Sequence, residues 1–308
     1  MKNILVIGSS NADITAFTPK FPVNGETVAG RTMITSVGGK GANQATAAAR
    51  AGGNVTFITK VGKDSMAEMI FKSFTDDNIN TDYVYSTAEA GTGSAFIEVN
   101  DTTGENRIIC IAGANGEITP QEILNAEDAF RTADLVLIQL ELETDRVLES
   151  VKLAKKYNLP VILNPAPAKE LPEELYRMID YFTPNESEAS YYSGFSVTDE
   201  ASAVKAAEIL LSKGIKNVII TLGKKGSLFK NAHVCEKINA FSVKAVDTTG
   251  AGDSFNGGLA VALAEKRDIS DAIRFASATA ALSVTKEGAS KSMPLKEDIL
   301  RFLEKNRI

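Results

Sequence analysis

The sequence predicts an α/β fold: a mainly parallel central sheet between two layers of helices, with a small β-sheet projecting from it as a lid. Three observations carry this. From Leu135 onward, short apolar runs alternate with helical patterns, as in successive βαβ units. Two groups of β-like runs, at about 14–37 and 94–112, flank a βα stretch and are most simply buried by pairing with each other. Polar residues also recur where strands end, which in a parallel sheet is one edge and one crevice.

In chain order, Ile4–Ile7 is a buried strand, and Asn11 and Asp13 follow it in what reads as an Asx-rich turn. Asn24-Gly25 is a hairpin signal within the first β group. Gly38-Gly39-Lys40-Gly41-Ala42-Asn43-Gln44 opens an Ala-rich helix to about Ala51; its glycines admit a ligand to the backbone, and Lys40 and Asn43 supply donors. Val55–Val61 is a strand. The helix from Asp64 to about Phe74 carries Met66, Ile70, Phe71 and Phe74 on one side. Tyr83–Tyr85, Ser94–Val99 and Arg107–Ile111 form the second β cluster, with Asp101–Asn106 as a hairpin-type connector.

Thr119-Pro120-Gln121-Glu122 is a capping box with proline at the first helical position. Strands follow at Leu135–Leu140, ending at Glu141; at Val161–Leu163, ending at Asn164; at Tyr181–Thr183, before Asn185 and Glu188; and at Val218–Leu222, ending at Gly223. Helices lie between them, at about 145–157 and from a Thr198 cap to about Ser212. A short run ends in Val246, and a helix from Ser270 to about Val284 and another at Leu295–Glu304 close the chain. There is no internal repeat or linker, so 1–308 is expected to be one domain.

Composition narrows the function. The chain has 308 residues, a net charge of −6, one histidine and two cysteines. Lys and Arg form no cluster, which gives no support for a nucleic-acid partner. No apolar run reaches the ~18 residues of a membrane span, and MKNILVIGSS is expected to be a first strand rather than a signal peptide. Cys110 and Cys235 are expected as free thiols in a reducing cytoplasm, and His233 in an edge or loop. A zinc site and a Ser-His-Asp triad find no residues to build them, and no GxGxxG or P-loop string occurs.

Residues 244–266, KAVDTTGAGDSFNGGLAVALAEK, organise the rest. A turn of small residues, Thr248 to Gly252, opens a helix, and Asp253 stands in its first turn. The first amides of a helix lack intrahelical partners and, with the helix dipole, attract anions. Gly250, Ala251 and Gly252 let a phosphate close to the backbone, while Asp253 is placed to accept a proton from an attacking hydroxyl. An anion cradle beside a base is what phosphoryl transfer to an alcohol needs.

Taken together, GSSNAD, GGKGANQ, NPAPAKELP, PNESE, ITLGKKG, DTTGAGDSFNGGL and VTKEGAS resemble, in order along the whole chain, the motifs of the ribokinase family of sugar and nucleoside kinases. The resemblance implies a Rossmann-like α/β/α sandwich with a β lid that also forms a homodimer interface. It implies ATP-dependent phosphorylation of a sugar, with D-ribose, phosphorylated at O5, best matched by AGAN, NPAPA and ITLG. Fructose, another pentose or a nucleoside is the alternative acceptor, and a catalytically silent sugar- or nucleotide-binding regulator the alternative of another class. Carried over, Asp253 is the base and Gly250, Ala251 and Gly252 form the anion hole. Asn11, Asp13, Gly39, Lys40, Asn43 and Glu141 hold the sugar. Asn185, Thr221, Gly223, Gly226 and Gly252 lie along ATP. Glu188 places Mg²⁺ through water, and groups of Asp247, Thr249, Ser283, Gly288 and Ser292 bind K⁺. Ser277 departs from the family, which more often has Asn or His near adenine.

Overall fold

The computed structural model describes residues 1–306; the last two residues of the expected domain, Arg307 and Ile308, lie outside the described residues. The strands are β1 (Asn3–Ile7), β2 (Asn11–Thr18), β3 (Thr32–Gly38), β4 (Asn54–Gly62), β5 (Val84–Thr87), β6 (Gly93–Asn100), β7 (Asn106–Ile111), β8 (Leu135–Ile138), β9 (Val161–Leu163), β10 (Tyr181–Phe182), β11 (Asn217–Thr221), β12 (Ser227–Asn231) and β13 (Cys235–Ile238). The helices are α1 (Lys40–Arg50), α2 (Ser65–Asp76), α3 (Pro120–Asn125), α4 (Glu127–Thr132), α5 (Thr144–Lys156), α6 (Glu173–Tyr176), α7 (Glu186–Ser193), α8 (Glu200–Ser212), α9 (Ala251–Ala264), α10 (Ile269–Ser283) and α11 (Lys296–Lys305).

Nine strands form the main sheet in the order β13-β12-β11-β10-β9-β8-β1-β4-β5, parallel from β11 to β5. Period-2 alternation sends side chains to both faces. Leu5, Ile7, Val136 and Ile138 pack against α3 to α8, while Ile4, Val6, Leu135 and Leu137 pack against α1, α2, α9 and α10. The result is the expected α/β/α sandwich, and because β11 to β5 are parallel, their C-terminal ends share one edge. A second sheet, ordered β3-β2-β6-β7, stands apart; its β2–β6 pair is parallel and its outer pairs antiparallel.

The capping box at Thr119 forms as the sequence predicts, with both reciprocal hydrogen bonds. Several local expectations are corrected. Asn11 and Asp13 sit in β2 rather than in a turn, because Asn11 pairs with Gly38 and Gly93, and Asp13 with Ser36 and Ala95. The small sheet therefore begins at Asn11 rather than Ile14. Residues Val84–Thr87 pair with β4 in the main sheet instead of joining Ser94–Val99. The α8 cap is Asp199, whose carboxylate accepts from the Ser202 amide at 2.8 Å, not Thr198. No strand ends at Val246; 239–250 is irregular, so Asp253 follows a loop rather than a strand. The antiparallel β12–β13 edge was not anticipated, and His233 lies exposed in its turn.

Candidate active site

The α9 N-terminus is shaped by its sequence. Gly250 caps it at φ 74°, in the left-handed region where a side chain is strained, and a Cβ there would crowd Ala289 at 3.2 Å. The Ala251 amide donates to Thr248 O at 3.2 Å and the Ser254 amide to Gly250 O at 2.8 Å. Among the described residues, the amides of Gly252 and Asp253 between them have no acceptor. Gly252 is exposed, and a Cβ on it would meet nothing within 4 Å, so its donor lies beside open space at the positive end of a 14-residue helix.

Asp253 points the other way, into the molecule, and is buried. Asn43 Nδ2 donates to its Oδ2 at 3.0 Å and Gln44 Nε2 to its Oδ1 at 2.9 Å. These contacts require α1 and α9 to touch, which Gly257 permits: a Cβ there would lie 2.5 Å from Ala47 Cβ. Burial pushes the Asp253 carboxyl above its ordinary value, against the pull of Lys40, Gln44 and Asn43, with Glu141 adding repulsion. That direction suits a group that must accept a proton.

Around Asp253 the charges converge. Burial disfavours the Lys40 ammonium, but Asp253, Glu141, Glu188 and Cys110 outweigh it and its pKa rises. Glu141 is fixed by the Lys40 amide at 2.9 Å and by the Ser9 hydroxyl. Asp13 is pushed up to about 7, first by burial and then by Glu141 and Asp253. Gly38 makes room for it, since a Cβ there would lie 1.9 Å from Asp13 Oδ2. Asn11 Oδ1 accepts from Asn115 Nδ2 at 2.8 Å, which ties the small sheet to the AGAN turn. Asn11, Asp13, Gly39, Lys40, Asn43, Glu141 and Asp253 thus lie close together at the sheet edge, beside β2 and β3.

The remaining predicted residues sit nearby in two groups. Asn185 bridges to Thr221 and caps α7, exchanging hydrogen bonds with Glu188 in a reciprocal capping box at 2.8 Å each way. Burial raises the Glu188 carboxyl, with Asp253 adding to the rise and the Asn185 amide and Lys40 opposing it. Gly223 and Gly226, at φ 55° and 96°, form the turn after β11, and a Cβ at Gly226 would strike Ile238 O at 2.0 Å. In the second group, Asp247 joins two loops: Thr249 donates to its Oδ1 through N and Oγ1, and the Gly288 amide donates to its Oδ2 at 2.9 Å. Burial works against the charged form, but these three donors hold the Asp247 carboxyl below its ordinary value. Ser283 and Ser292 are not bonded to Asp247; their hydroxyls donate to Ala280 O and Ala289 O, and the Ser283 carbonyl accepts from the Lys286 amide at 3.1 Å. Ser277 is half-buried on α10.

Sequence reasoning missed Ser9, Asn115, Gln139 and Ser290. Ser290 Oγ donates to Asn43 Oδ1 at 2.6 Å, so the donor that Asn43 offers Asp253 is fixed from behind. Cys110 was read only as a free thiol. The register Asp13–Ala95–Cys110 across three strands puts it on the same face of the small sheet as Asp13. Polar residues inside apolar runs, such as Gln139 in LIQLEL, were the available signal.

Two free helix-end amides, a buried carboxylate behind them and a cluster of polar side chains fit a phosphotransferase with an alcohol as acceptor. The chain belongs to the pfkB family of carbohydrate kinases, whose profile matches residues 1–296. It is 43% identical over 303 residues to the ribokinase of Haemophilus influenzae, covering 98% of this chain and 99% of that one. Its fold matches the structure of Arabidopsis thaliana ribokinase complexed with ribose and ATP (TM-score 0.92, 32% identity, 99% of each chain covered). It also matches the crystal structure of ribokinase from Thermotoga maritima (TM-score 0.90, 39% identity, covering 99% of this chain and 100% of that one).

Proposed function

We propose that this protein is an ATP-dependent ribokinase, transferring the γ-phosphoryl group of ATP to O5 of D-ribose to give D-ribose 5-phosphate. The observation that carries the reading is the pairing, within one helical turn, of the acceptor-free Gly252 and Asp253 amides with a buried Asp253 carboxylate facing Lys40 and Glu141. The full-length similarity to ribokinases supports ribose as the acceptor.

In this reading Asn11, Asp13, Gly39, Lys40, Asn43 and Glu141 hold the sugar hydroxyls and aim O5 at the phosphoryl group. Asp253 takes the O5 proton as the new O–P bond forms and the bond to the leaving ADP breaks, and the anion hole at Gly250, Ala251 and Gly252, whose free donors are the Gly252 and Asp253 amides, stabilises the charge on the transferring group. Asn185, Thr221, Gly223 and Gly226 run along ATP. The small sheet works as a lid of the single kinase domain, excluding water so that phosphoryl transfer to sugar outruns hydrolysis.

Both Glu188 oxygens already accept from Asn185, which fits a carboxylate that meets Mg²⁺ through water rather than directly. Bound Mg²⁺ would neutralise phosphate charge. The Asp247 carboxylate is spent bracing Thr249 and Gly288, so K⁺ would use backbone oxygens of Asp247, Thr249, Ser283, Gly288 and Ser292, its charge steadying the loop before α9.

Met33, Phe96, Ile109 and Ile111 are exposed on the face of the small sheet away from Asp13, and Ile34 and Ile108 on the Asp13 face; this is apolar surface that a homodimer would cover. Among the described residues no helix is long and apolar enough to cross a membrane, and two exposed free thiols fit a cytoplasmic enzyme.

A coupled ADP-release assay over ribose, 2-deoxyribose, fructose and adenosine tests the reading. The highest kcat/KM is expected with ribose. Higher kcat/KM with another acceptor would overturn the substrate, and no sugar-dependent ADP release would overturn the kinase.

A further inference from the structure

Two glutamines are fully buried in the sheet–helix interface beside Asp253: Gln44 on α1 and Gln139 just past β8. Fully buried glutamines are uncommon because each amide must find partners away from water. Here the partners form a directed chain. Gln139 Nε2 donates to Gln44 Oε1 at 2.7 Å, and Gln44 Nε2 donates to both Asp253 Oδ1 at 2.9 Å and Asn164 Oδ1 at 3.0 Å.

The direction follows from chemistry. An ionised carboxylate only accepts hydrogen bonds, so Gln44 must turn its NH₂ toward Asp253. Its carbonyl then faces Gln139, which must turn its own NH₂ inward. The Gln139 carbonyl is left as a buried oxygen with no partner among the described residues. Gly8 makes room for that oxygen, since a Cβ there would lie 2.0 Å from it. An orphaned buried acceptor costs stability, and apolar side chains of the same size would avoid it. What the arrangement secures is the orientation of one amide.

We propose that Gln44 and Gln139 are positioning residues of the phosphoryl transfer: Gln139 locks the Gln44 amide so that its NH₂ faces Asp253, holding that carboxylate ionised and aimed at the acceptor hydroxyl. This deepens the kinase reading above and rests on it. A donor to the charged form favours that form. Without it, the Asp253 carboxyl, already raised by burial, rises further. The charges facing Asp253 remain in place: Lys40 from α1, Glu141 after β8, Glu188 from α7 and Asp13 from β2.

The test is the pH profile of kcat/KM, from about pH 5.5 to 9.5, for the full-length enzyme and for Gln44→Met, Gln139→Met and the double variant. The acid limb of Gln44→Met should move to higher pH, with activity at least tenfold down at pH 7 and recovering as the medium becomes alkaline. Gln139→Met should move the same way by less. The double variant should match Gln44→Met, because an unkeyed amide that is absent has nothing more to lose. ATP affinity, measured by titration, should stay within about threefold throughout, which also reports that each variant is folded.

A uniform drop in rate with an unmoved acid limb, or additive effects in the double variant, would overturn the assignment. Should Gln44→Met fail to fold, the limb of Gln139→Met decides alone: unmoved, it overturns the proposal. If the unmodified enzyme phosphorylates no sugar, the kinase reading has failed rather than the relay.

Discussion

Gly257→Ala probes the close approach of α1 and α9 without removing any polar group of the site. The added Cβ would lie 2.5 Å from Ala47 Cβ, 2.7 Å from Ala48 N and 2.9 Å from Gln44 O. Carbon atoms sit at about 3.5–4.0 Å when packed. The helices must therefore part by about 1 Å. The alanine returns at most about 1 kcal/mol of helix propensity, against about 1–3 kcal/mol for overpacking.

The same movement stretches the bonds that Asn43 and Gln44 make to Asp253, 3.0 and 2.9 Å long, beyond hydrogen-bonding range. A misplacement of that size can cost on the order of 10²-fold in rate. The expected result is a Tm several degrees lower and a kcat reduced by about that factor in the ADP-release assay, with ATP affinity little changed. Unaltered Tm and kcat would refute the claim that helix contact holds the base in place.

Asp13, at about 7 instead of 3.8, keeps its proton longer in the folded than in the unfolded chain, so it subtracts stability as pH rises between those values. If its ionised form accepts sugar hydroxyls, the KM for ribose should fall about tenfold per pH unit up to 7 and then level off. Asp13→Asn should flatten that dependence, and a KM of constant slope in both proteins would count against the contact. Asp247→Ala frees Thr249 and the Gly288 amide; rates measured in K⁺ and in Na⁺ buffers should then converge, whereas the parent enzyme should prefer K⁺. Ile109→Asp with Ile111→Asp, both on the face away from Asp13, should turn a dimer into a monomer in sedimentation, and an unchanged mass would place the interface elsewhere.

Much of this was legible in the residues. The βα alternation from Leu135 gave the sandwich, since apolar run length and helical spacing are local properties. TTGAG before Asp253 gave the helix end, since only small residues fit a left-handed cap and an open amide pair. What escaped depends on partners far away in sequence. Strand periodicity does not say which sheet a strand joins, so Val84–Thr87 could not be told from its neighbours until β4 was seen beside it. Val246 ends an apolar string, yet its amide bonds to Val284 O at 2.7 Å in a loop, with no strand alongside. Gln139 is one polar residue in an apolar string, and its role depends on Gln44, 95 positions earlier.

The measurement closest to the centre of the account is turnover by Asp253→Asn at saturating ATP and ribose. Asparagine keeps the shape and loses the proton acceptor. The account predicts a kcat lower by about 10²–10⁴-fold, with ATP still bound at near-normal affinity. A kcat within a few-fold of the parent would mean that another group takes the hydroxyl proton, and the chemistry assigned to the start of α9 would be wrong.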